Sequence, residues 1–249
     1  MAGILEICVD SLESARAAIR GGADRLELCS ALSIGGLTPY LELLEQIRRE
    51  SDITIRCLMR PRAGDFLYSE EEIQQMAVQI RRFRDAGADG FVIGCLDRNG
   101  ALDERAMEPL CKATEGYGLT LHRCIDVSKD PVKTYSDAAK LGFDTVLTSG
   151  GAANCRAGAA TIGELLKLRD GIGGPEVLIG AGVNAEVIQE FRREFPGARA
   201  FHMSGKTNQE SGMLFRREGV PMGIPGFDEW HNSVTDEKAV RAAKDALLR

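Results

Sequence analysis

One unit repeats eight times along this chain, and that repetition constrains its fold more than any other feature. Each unit has a short run of β-branched residues and leucine, a polar turn, and an amphipathic stretch with helical spacing. The pattern predicts strands over 4–10, 24–30, 53–60, 89–96, 119–126, 144–149, 176–181 and 199–204, each followed by helix-like sequence. Strands that alternate with helices must pair in parallel, because the chain returns to the same end of the sheet after every helix. Eight regular units favour closure into a (β/α)8 barrel over an open doubly wound sheet, and 249 residues suit one such domain over 1–249. The turns Gly22-Ala23-Asp24 and Gly87-Ala88-Asp89, with the variant Gly142-Phe143-Asp144, punctuate helix ends before strands. The stretch 206–232, rich in Gly, Pro and Met, breaks the pattern and reads as an elaborated loop after the eighth strand. A last helix is expected over 235–248.

Composition narrows the class of partner. Net charge is −6 and the basic residues are spread through the helices, which argues against nucleic acid. No apolar run approaches the ~20 residues needed to cross a bilayer. The chain opens directly on a predicted strand, so no signal peptide is expected. The seven cysteines form no CxxC pair, and their odd number does not suit a disulfide framework. Reduced thiols in the cytoplasm fit better.

Alternation separates the inward from the outward side chains of a strand. Leu5, Ile7, Val9, Leu26 and Leu28 form apolar sets that suit the helix-facing side, which leaves Glu6, Cys8, Glu27 and Cys29 pointing inward. The same rule turns Arg56 and His122 inward, and Glu6, Glu27, Arg56 and His122 are expected to meet there as a paired network. Such a network either fixes strand register or supplies tuned acids and bases. Glu27, His122 and Asp126 are the acid–base candidates.

Residues at the C-terminal ends of barrel strands line the functional mouth. Arg60, Arg62 and Asp65 leave the third strand on one loop, where guanidinium forks suit a carboxylate or phosphate, or simply brace the loop. Ser149-Gly150, Gly182 and Ser204-Gly205 follow strands six, seven and eight, and exposed backbone N–H groups there suit an anion. A glycine-rich turn also arises merely because it is tight. Cys8 and Cys29 sit at matching places in the echo Leu5-Glu6-Ile7-Cys8 and Leu26-Glu27-Leu28-Cys29. Adjacent strands lie ~4.8 Å apart, so two such sulfurs could share one soft ion such as Cu(I). The alternative is a pair of small core residues.

Several segments resemble the CutC family in the expected order. They are Leu5 to Ser11, Gly22 to Cys29, Gly35 to Pro39, Arg60 to Ser69, His122 to Asp126, Val146 to Gly150 and Gly212 to Arg216. The resemblance looks closer to animal members. Ala63 stands where glycine is usual, and Cys124-Ile125 where Ala-Phe is usual. The resemblance implies a cytosolic barrel concerned with copper homeostasis and self-associating into a homo-oligomer, with Cys8 and Cys29 at the positions proposed for Cu(I). A barrel with so polar a mouth could equally be an enzyme acting on a small anionic metabolite.

Overall fold

The structure is a computed structural model and describes residues 3–220, 222, 226 and 228–249. The expectation that the chain opens directly as a strand falls partly on residues 1 and 2, outside those described. The chain runs β1 (Ile4–Val9), α1 (Leu12–Gly21), β2 (Arg25–Leu28), α2 (Leu41–Arg48), β3 (Thr54–Leu58) and α3 (Glu70–Asp85). It continues through β4 (Gly90–Ile93), α4 (Glu104–Ala113), β5 (Gly118–Leu121), α5 (Pro131–Lys140), β6 (Thr145–Thr148) and α6 (Ala159–Ile172). The remainder is β7 (Glu176–Ile179), α7 (Ala185–Glu194), β8 (Ala200–Met203), β9 (Lys206–Glu210), β10 (His231–Thr235) and α8 (Glu237–Leu248). Strands β1 to β8 pair in order, and β8 closes on β1, all in parallel. The barrel expected from periodicity is the barrel observed.

The Gly-Ala-Asp turns do more than end helices. Gly22 and Gly87 have φ of 92° and 96°, a conformation that a side chain would strain. The aspartate that follows clamps the preceding strand at two points. Asp24 accepts the Leu5 N–H at 2.7 Å and donates its own N–H to the Leu5 carbonyl at 2.9 Å. Asp89 does the same with Ile55, and Asp144 with Leu119. A short motif thus sets strand register at the bottom of the barrel, three times over. Helix α3 starts on a full capping box formed by Ser69 and Glu72.

Leu5, Ile7, Val9, Leu26 and Leu28 are buried in the layer between strands and helices, as alternation requires. The lumen holds a different set. Leu147, Leu178 and Ala200, with Ile4 against them, fill part of it with apolar side chains. Arg56 crosses elsewhere, donating to Thr120 Oγ1 at 2.6 Å and Asp144 Oδ1 at 2.7 Å. Glycine on the intervening strands makes this possible, since a Cβ on Gly118 would lie 2.7 Å from the Arg56 guanidinium.

Three local expectations need correction. The predicted strand over 119–126 ends at Leu121, and Arg123–Val127 is a 3-10 turn. His122 initiates that turn by accepting the Cys124 N–H on Nδ1, which diverts the backbone from the sheet. The loop read over 206–232 contains an antiparallel ribbon of β9 and β10, with Lys206 opposite Thr235 and Glu210 opposite His231. Its Lys-Thr-Asn-Gln-Glu run is polar on both faces, so it carries no alternation to betray a strand. Residues 221, 223–225 and 227 of that stretch lie outside those described. The last helix begins at Glu237, because Thr235 completes the ribbon and Asp236 is the N-cap.

Candidate functional site

A cavity of about 1040 Å³ opens at the C-terminal ends of the strands. Cys8, Glu27, Arg60, His122 and His202 are among its walls, and the base of the ribbon, including Lys206, Asn208 and Ser233, overhangs it. Its chemistry starts from strand register. The echo between β1 and β2 suggests that Cys8 and Cys29 lie side by side, but the strands are staggered by two residues. Cys8 is opposite Glu27, and Glu6 is opposite Arg25. Barrel closure imposes such a stagger, and sequence echoes do not report it.

The stagger brings together a cluster that sequence reasoning saw only in part. Arg25 donates to Glu6 in a fully buried ion pair. Glu6 Oε1 also accepts Nδ1–H of His202 at 2.8 Å, across the β1–β8 seam. The other ring nitrogen of His202 lies 3.8 Å from Glu27 Oε2. Cys8, Glu27 and His202 each offer one donor atom, and the three atoms lie within 4.8 Å of one another. Cys29 is next to them but turned back, its thiol 3.3 Å from Glu27 Oε2, and it does not line the cavity. His202 was readable in principle. Alternation along β8 turns His202 and Ser204 inward together, opposite Phe201 and Met203.

Charges in this cluster depend on one another. Burial would raise the Glu6 carboxyl, but Arg25 and the His202 hydrogen bond outweigh it and bring it down to about 2. Burial raises Glu27, and Glu6 adds to the rise while His202 opposes it. Burial pushes the Cys29 thiol well up, reinforced by the Glu27 carboxylate. Burial would lower His202, yet the Cys8 sulfur, Glu27 and Glu6 hold it well above the usual imidazole range.

The other expected residues divide sharply. His122 does not meet Glu6 or Arg56. It sits on another wall, its ring 4.7 Å from that of Phe66, and burial together with the Arg60 charge lowers it to about 3. Arg60 donates to the carbonyls of Ile34, Gly36 and Gly64 and packs 5.3 Å from the Phe66 ring centre. Arg62 and Asp65 stay off the cavity and brace their loop. Arg62 bonds Asp65 at 3.0 Å and Glu72 at 2.6 Å, and stacks on Tyr68.

Asp126 lines the cavity, yet its carboxylate is saturated by Thr148 Oγ1, the Ser149 N–H and hydroxyl, the Gly151 N–H and Arg123. Of the two amides expected to cradle an anion after β6, that of Ser149 already holds one, supplied by the protein, and that of Gly150 donates to Thr148 Oγ1. Gly150 is there for close packing, since a Cβ would lie 2.2 Å from the Gly158 carbonyl oxygen. Gly182 and Ser204 line the cavity, whereas Gly205 turns the chain towards the ribbon, its carbonyl accepting the Asp236 N–H.

The CutC family model matches residues 3–207. This chain belongs to the CutC family. A CutC family protein of Aliivibrio fischeri is 39% identical over 245 residues, covering 98% of each chain. The copper homeostasis protein cutC homolog of Homo sapiens is 39% identical over 250 residues, covering 98% of this chain and 90% of that one. The Aliivibrio and human relatives thus stand at the same identity. A solved CutC structure from Streptococcus agalactiae superposes with a TM-score of 0.76 at 28% identity, covering 81% of this chain and 98% of that one. An aldolase structure at 18% identity and TM-score 0.53 shares the fold alone.

Proposed function

We propose that this CutC protein binds Cu(I) at the mouth of its barrel, as a cargo ion in copper homeostasis. The observation that carries the reading is the convergence of Cys8, Glu27 and His202 donor atoms within 4.8 Å. A sulfur and an imidazole are the donors a soft ion selects, and Cu(I) tolerates so few ligands. The Glu6 carboxylate behind His202 Nδ1 is the outer partner that metal-binding histidines ordinarily have, and an ion bound at Nε2 would displace the proton held there. Cys29, whose thiol donates to Glu27 Oε2 at 3.3 Å, lies beside this donor set and outside it. The relatives' copper homeostasis name agrees with the reading.

Competition against a chromophoric Cu(I) chelator under reducing conditions tests it. The native protein should take up one Cu(I) per chain. Cys8→Ser should weaken binding by more than about 100-fold, and Glu6→Gln by about 10- to 100-fold through His202. Unchanged affinity in Cys8→Ser rules the site out.

Two companion proposals concern setting. Seven cysteines, none in a disulfide, suit the cytoplasm. No helix among the described residues is long and apolar enough to cross a membrane. Self-association is supported by exposed Met213, Leu214 and Phe215 on the segment between β9 and β10.

A second reading, an enzyme acting on a small anionic metabolite, is favoured by one observation. Glu27 and His122 line the same cavity, so a carboxyl group and an imidazole face one bound molecule.

A further inference from the structure

We propose that Arg60 and His122 form a binding site for the carboxylate of a small organic acid, on a wall of the cavity apart from the Cys8 cluster. The inference does not involve copper. It deepens the second reading by naming a ligand class, and rests on that reading only in treating the cavity as a small-molecule site.

Two buried donors without partners carry the argument. Arg60 Nε and His122 Nε2 make no hydrogen bond among the described residues, although both side chains are more than nine-tenths buried and both line the cavity. Such atoms are uncommon in native proteins, because each forfeits its hydration without return. Both are donors. His122 Nδ1 accepts the Cys124 N–H, so the proton of the neutral ring resides on Nε2. Arg60 commits both N–H groups of Nη1 and one of Nη2 to carbonyl oxygens, which leaves Nε as its one nitrogen with no partner.

Charge points to the same ligand. Among the described residues Arg60 makes no ion pair, in contrast to Arg25, Arg56, Arg62 and Arg123 around the same barrel. A buried guanidinium neutralised only by carbonyl dipoles retains a full positive charge in the cavity wall. The three carbonyls hold it rigidly, and the Phe66 ring packs against Arg60 and His122 together. One uncompensated charge and two nitrogen atoms without any partner match the single charge and two oxygens of a carboxylate. A phosphate would bring more charge and more oxygens than these donors answer. The cavity, at about 1040 Å³, is large enough for the rest of an organic acid.

Nitrogen-15 NMR of histidine-labelled protein tests the site without disturbing it. Acetate, pyruvate and succinate are titrated separately, beside inorganic phosphate and chloride at matched ionic strength. At least one of the three acids should shift the His122 Nε2–H resonance saturably, while phosphate and chloride leave it unmoved. His122→Phe keeps the ring packing on Phe66 and removes the donor, and by calorimetry should bind that acid at least about tenfold more weakly. Arg60→Lys, which keeps the charge but not the fixed Nε–H, should lose a similar factor. Saturable binding of phosphate in place of the acids overturns the carboxylate assignment. No saturable shift with any of the three acids up to about 10 mM, or equal affinity in His122→Phe, overturns the site. The readout is binding rather than turnover, so absence of catalysis would not be mistaken for absence of the site.

Discussion

Replacing Glu6 with alanine should destabilise the protein by about 3–5 kcal/mol, a large share of the 5–15 kcal/mol typical of a native protein. The carboxylate is wholly buried between Arg25 and His202, and it accepts from both. Its removal strands the Arg25 cation in the lumen, where the second guanidinium nitrogen already has no partner. Breaking one side of a buried pair costs far more than removing both. Glu6→Gln/Arg25→Met should therefore be less destabilised than Glu6→Ala, although it changes two residues. Urea unfolding midpoints of the two variants check the ordering. A Glu6→Ala protein as stable as the parent would show that this network contributes little to the fold.

The second large effect is acid sensitivity originating at His122. Its pKa is lowered from the usual imidazole value of 6.5 to about 3 in the folded protein, by burial and by Arg60. Between those values the unfolded chain binds a proton at this residue and the native protein does not. Stability from this group is thus fully present above pH 6.5 and is lost as pH falls towards 3. The slope is about 1.4 kcal/mol per pH unit within that window. His122→Phe has no such proton to bind in either state. The difference in unfolding free energy between parent and variant should therefore shrink or reverse steadily from pH 6.5 towards 3. A constant difference over that range would mean that His122 titrates normally in the fold.

Much of this architecture is readable from the chain, for reasons that also explain what is not. Strand alternation correctly turns Glu6, Cys8 and Glu27 inward, because a two-residue period survives any register. Register itself is a property of closure, and so the matched cysteines Cys8 and Cys29 end up at different levels, with Glu27 beside Cys8. Arg25 escapes notice for the same reason, since its partner Glu6 is chosen by the stagger. His202 shows alternation as plainly as Glu6 does, but sits in a strand otherwise composed of Ala, Phe and Met. Asp126 and Ser149 illustrate another limit. A glycine-rich turn announces free amides, but only the structure shows that a carboxylate 23 residues earlier in the chain already occupies that of Ser149. Arg60 and Arg62 look alike on one loop, and differ only in that Arg62 finds Asp65 and Glu72 while Arg60 lines the cavity.

X-ray absorption at the copper edge of the Cu(I)-loaded protein addresses the central claim most directly. The account predicts one sulfur together with nitrogen or oxygen donors, from Cys8, His202 and Glu27. That sulfur should vanish in Cys8→Ser and persist in Cys29→Ser. Two sulfurs without a nitrogen donor, or a signal indifferent to Cys8, would contradict it.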